Sequence, residues 1–77
     1  MNLLTEYFMY TAPDPEGNES VVGIQPGKDA PFMIPLVART LAEVEQYRQF
    51  AEKYAEAMKT KVTLVRFTRR EAVETIG

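Results

Sequence analysis

The chain has no cysteine, no histidine and no tryptophan among its 77 residues, and a single serine, Ser20. Without cysteine there is no disulfide framework, no thiolate metal ligand and no thiol nucleophile. Without histidine the commonest general base is missing, together with histidine-based triads and the usual zinc sites. Ser20 follows an acidic stretch with no candidate base beside it. Catalysis would have to run on carboxylates, lysine or tyrosine, and no motif supports it, so the expectation is a non-enzyme that needs no cofactor. Long hydrophobic runs are also lacking. No window approaches the ~18 apolar residues of a membrane span, and Met1 to Glu6 carries neither the basic flank nor the apolar run of a signal sequence. The expected setting is therefore the cytoplasm, with no membrane partner. The glycosylation match Asn18-Glu19-Ser20 carries meaning only on export.

Hydrophobic residues at 45% and charged residues at 26% are ordinary for a folded globular chain. A domain of this length buries only about 60% of the surface its unfolded chain exposes, so the core is thin. The net charge of −2 is unevenly spread. Glu6, Asp14, Glu16 and Glu19 have no base among them, whereas Lys59, Lys61, Arg66, Arg69 and Arg70 outnumber Glu71 and Glu74.

Thr5 to Thr11 reads as a strand built on Tyr7, Phe8, Met9 and Tyr10, and is stopped by Pro13. Asp14-Pro15-Glu16-Gly17-Asn18-Glu19 is dense in turn residues, which predicts a hairpin tip and a return strand over Ser20 to Gln25. Gly23 within that return suggests a bulge or a weak edge. After the Pro26-Gly27-Lys28-Asp29 turn, Phe32 to Arg39 is a third extended segment, placed at an edge or broken by Pro35.

Thr40-Leu41-Ala42-Glu43 fits a capping box, and Leu41, Val44, Tyr47, Ala51, Tyr54, Ala55 and Met58 then recur at helical spacing, widened by Phe50. Glu45, Arg48, Gln49, Glu52 and Glu56 take the opposite face, with Arg48 and Glu52 four apart. No glycine closes this helix, so Lys59-Thr60-Lys61 must turn the chain directly into Val62 to Phe67. There Val62 and Leu64 point one way, and Val65 and Phe67 the other. A second box, Thr68-Arg69-Arg70-Glu71, predicts a short terminal helix carrying Ala72, Val73 and Ile76.

The expected fold class is α+β: a single domain over residues 1–77 with a four-stranded mixed sheet in the order β-β-β-α-β-α. One long amphipathic helix lies on one face, and a short carboxy-terminal helix follows. The last strand should pair beside the first, parallel to it, because both carry apolar residues on both faces, as central strands do. One long helix covers one face only. Either Tyr7 and Met9, or Phe8 and Tyr10, are then left open with a pair from the last strand. Tyr7, Met9, Val65 and Phe67 form one candidate set for a homodimer or for gripping another protein. The competing arrangement folds the loop at Pro26 to Pro31 and the terminal helix over that face.

Other chemistry fares less well. Gly23-Ile24-Gln25-Pro26-Gly27-Lys28-Asp29 has three residues between its glycines where a phosphate loop has four, and an aspartate where a hydroxyl should reach magnesium. Asp14, Glu16 and Glu19 depart from calcium-loop spacing. Lys59, Lys61, Arg69 and Arg70 offer a candidate anion or nucleic-acid patch. Arginines in the first turn of a helix suit a docked anion, against which stand the acidic overall balance and the lack of an RNA-binding aromatic motif.

The stretch from Phe32 to Phe67, with its capping Thr40, its Tyr/Ala-rich helix and the following Val65-Arg66-Phe67-Thr68-Arg69-Arg70-Glu71, resembles small uncharacterised proteins encoded by bacteriophages and bacteria. The resemblance covers about half of the chain. It implies no catalytic residue, and it implies a protein that acts by binding and blocking a host protein.

Overall fold

The long strand formers of the amino-terminal third organise everything else. In the computed structural model, which describes residues 3–77, β1 (Tyr7–Pro13) pairs with every other strand of a four-stranded sheet. Met1 and Asn2, part of the stretch read above as lacking a signal sequence, lie outside the described residues. On one side of β1 lies β6 (Thr63–Phe67), paired from Tyr7↔Phe67 to Thr11↔Thr63. The other side is shared: β2 (Glu19–Val21) pairs at Thr11 to Pro13, and β5 (Val37–Ala38) at Phe8 and Met9. Between these two, β3 (Gly23–Ile24) and β4 (Ile34–Pro35) leave the sheet as a two-stranded arm.

A three-way junction makes this branching possible. Tyr10 donates its amide to the Leu36 carbonyl at 3.1 Å, Leu36 donates to Val22 at 2.8 Å, and Val22 donates back to Tyr10 at 2.8 Å. The cycle satisfies three amides and three carbonyls where three segments separate. In a flat meander the first and third strands run parallel; with the chain bent at Val22 and Leu36, all three pairs of segments are antiparallel. Val22 and Leu36 are each 1% exposed, so their side chains plug the point where the ladders diverge.

Helix α1 (Leu41–Met58) begins where the capping box put it, with the Thr40 hydroxyl accepting from the Glu43 amide at 3.2 Å. It ends at Lys59 in the left-handed region (φ 50°, ψ 47°), and the Thr60 amide reaches the Ala55 carbonyl at 3.1 Å. That closure ordinarily uses glycine. α1 covers Phe8, Tyr10 and Ala12 of β1, and Val44 and Ala51 join them with Val22, Leu36 and Ala38 in one core flanked by Tyr47, Phe50, Tyr54 and Val62. The buried Tyr10 hydroxyl donates to the Val44 carbonyl at 2.8 Å, tying strand to helix. On the wet side of α1, Arg48 pairs with Glu45, three residues back, and not with Glu52.

The expected fold class needs correction. Among the described residues six strand segments stand where four were predicted, because the second and third extended segments each break at the junction. β6 pairs beside β1 but antiparallel to it, and it is an edge strand, not a central one. β5 and β6 still run in the same direction on either side of β1, as a crossover helix requires. Among the described residues α1 is the single helix: residues 68–77 have no regular secondary structure and are exposed throughout. The second capping box fails because nucleating a turn costs more than a few residues repay without packing. Val73, Thr75 and Ile76 are β-branched, Arg69 and Arg70 would oppose the helix dipole, and Val73 and Ile76 touch no core.

Candidate interaction face

Residues directly opposite in an antiparallel ladder project to the same side of the sheet. The register therefore sets two cross-strand pairs, Tyr7 with Phe67 and Met9 with Val65, on one face, away from α1. Val37 joins them opposite Met9, and Val21 opposite Thr11. All four candidate residues are brought together. The Tyr7 and Phe67 rings stack with centroids 4.8 Å apart and planes 13° from parallel. Such a pair is worth about 0.5–1.5 kcal/mol beyond its buried area.

Burial separates the two faces of β1 from Tyr7 to Tyr10, beyond which Thr11, on the face of Tyr7 and Met9, is itself buried at 3% exposure. Phe8 and Tyr10, turned toward α1, are buried, whereas Tyr7 and Met9 are only half-buried, as are Val65 and Phe67, and Val21 is 39% exposed. The terminal segment is exposed along its whole length and provides no buried lid. At the far end the field turns polar. The Thr11 hydroxyl donates to the Glu19 carboxylate at 2.9 Å and lies 3.4 Å from the Thr63 carbonyl.

The candidate anion set is not assembled in this way. Lys59 and Lys61 precede β6 while Arg69 and Arg70 follow it, and at ~3.4 Å per residue the strand holds the two pairs on the order of 20 Å apart. At the hairpin tip, Asp14 Oδ1 accepts the amides of Glu16 and Asn18, each at 2.9 Å, and Gly17 sits at φ 84°, so that carboxylate serves the turn. Among the described residues no group of three or more acidic side chains could hold a metal ion. No helix there is long and apolar enough to cross a membrane.

A second apolar surface was not anticipated from sequence. The arm formed by β3 and β4 leaves Phe32 and Met33 about 60% exposed at its loop, beside a groove of about 360 Å³ lined by Ile24, Ile34, Leu36, Tyr47 and Phe50. The signal was the apolar triplet Phe32-Met33-Ile34 framed by Pro31 and Pro35, a run too short and too rich in flanking proline to read as a core strand.

No family model matches this chain, and neither the curated proteins nor the solved structures contain a match to it.

Proposed function

We propose that this chain is a non-catalytic protein-interaction module that works through the sheet face opposite α1, binding a further copy of itself or another protein there. The observation that carries this reading is the pairing of Tyr7 with Phe67 and Met9 with Val65 on a half-buried apolar face. Aromatic residues and methionine are the side chains enriched where proteins meet, because they bury much area at little conformational cost. Val21 and Val37 extend the field across β2 and β5, and the exposed Glu19, accepting from the buried Thr11 hydroxyl, borders it with charge.

Self-association is the form of the reading open to direct test. Sedimentation of the full chain over a range of concentrations should give a mass above 8.8 kDa. Met9→Lys, at the centre of the face, should lower that mass while circular dichroism keeps its helical signal. A wild-type chain that stays monomeric at every concentration would remove self-association from the reading.

A further inference from the structure

β6 combines two properties that edge strands usually avoid. Among the described residues it pairs with β1 alone, and its sequence from Thr63 to Phe67 has no proline, glycine or bulge to blunt the outer edge. It is also apolar on both sides, with Leu64 39% exposed toward the α1 side and Val65 and Phe67 half-buried on the other. The segment that follows has the opposite need: Val73 is 91% and Ile76 87% exposed. Its β-branched Val73, Thr75 and Ile76 favour an extended strand. It is poorly equipped to fold back onto its own β6, since no glycine, proline, asparagine or aspartate stands between Thr63 and Ile76 to make a hairpin turn.

We propose that residues 68–76 of one copy pair antiparallel with the β6 edge of a second copy, reciprocally, about a two-fold axis at Arg70. This interface lies at the sheet edge and does not depend on the face proposed above; it would set two such faces side by side in one continuous sheet.

The side chains select the register. Keeping each face continuous requires the axis to pass a residue opposite its own counterpart. Centred on Arg70, Ile76 lies opposite Leu64 of the second copy, Val73 opposite Phe67, and Thr75 opposite Val65. Glu74 then faces Arg66, and Glu71 faces Arg69, so each acid meets a base, Ile76 and Val73 meet the large apolar Leu64 and Phe67, and Val65 and Ala72 meet only threonines, Thr75 and Thr68. Only Arg70 meets its like. Centring on Arg69 puts Glu74 against Leu64 and Glu71 against Phe67. Centring on Glu71 puts Ile76 against Arg66 and Val73 against Arg69. Centring on Val65 pairs the two β6 strands directly, but it opposes Lys61 to Arg69 and leaves Val73 and Ile76 in water.

Sedimentation equilibrium on the full chain tests the pairing by charge exchange at two exposed positions. Arg66→Glu and Glu74→Arg should each weaken the dimer about tenfold, since each turns two ion pairs per dimer into repulsions, and the double variant should recover wild-type affinity. Arg70→Thr should tighten it by removing the like-charge contact at the axis. Hydrogen exchange should show the amides of residues 72–76 gaining protection as concentration rises. A permanent monomer, a dimer indifferent to both single variants, or single losses that the double variant does not repair would each overturn the pairing. Loss of association in Met9→Lys with the charge series silent would leave the face reading standing and this one refuted; the reverse pattern would do the opposite.

Discussion

Lys59 shows how one side chain can be at odds with its backbone. It occupies the left-handed region at the end of α1, where a Cβ costs roughly 1 kcal/mol and glycine costs nothing. Lys59→Gly should therefore raise stability by about 0.5–1 kcal/mol in urea denaturation, whereas a β-branched residue there should lower it by more. At the other end of the helix, Thr40→Ala removes the acceptor of the Glu43 amide and should cost about 1 kcal/mol. Tyr10 links strand to helix, and burial pushes its hydroxyl above the ordinary value of 10.0. The sign follows from which form the fold prefers. The neutral phenol donates to Val44 and the phenolate cannot, so the contribution is fully present below pH 10 and is lost as pH rises through the higher folded value. Tyr10→Phe should cost about 1 kcal/mol at neutral pH and should flatten the alkaline fall in stability, read by denaturation at neutral pH and above pH 10.

At the scale of elements, α1 and β6 were readable because their signals are local. A capping Thr40 with Glu43 and seven apolar residues at helical spacing locate α1, and alternation from Val62 to Phe67 assigns the faces that the β1–β6 register displays. The candidate set Tyr7, Met9, Val65 and Phe67 was legible for the same reason, since period-two alternation decides which residues share a side. The junction was not legible. Its cause is a cycle of three amides among Tyr10, Val22 and Leu36, residues far apart in sequence, and Gly23 and Pro35 marked only that something would break there. The terminal segment misled in the other direction: Thr68 and Glu71 have the spacing of a cap, but the tertiary support that short helices need is missing. Because Leu36 fills the junction at 1% exposure, Leu36→Ala should cost about 2–5 kcal/mol, more than a like change at exposed Leu41. Urea midpoints of the two variants, compared at equal concentration, check that ordering.

The whole molecule is looser than its length requires. Its Cα radius of gyration is 14.2 Å, against about 11.5 Å for a compact chain of this size, and the terminal segment, exposed throughout, adds nothing to the eight buried hydrophobic residues that form the core among the described residues. A single helix, among the described residues, on one side of the four-stranded sheet leaves little stability in reserve, so any contact made only by the folded chain should register in its unfolding. Association of folded copies draws the equilibrium toward the native state by mass action, and above the dissociation constant each tenfold rise in concentration adds about 0.7 kcal/mol per chain of a dimer. For a domain of this size that corresponds to several degrees in melting temperature. The wild-type melting temperature should thus climb with concentration. Arg66→Glu, which leaves the core untouched but sets like charges across the paired edge, should shift the onset of that climb to about tenfold higher concentration, and the added Glu74→Arg should bring it back. A wild-type melting temperature independent of concentration would show that the exposed edge and face meet no second copy, whatever else they bind.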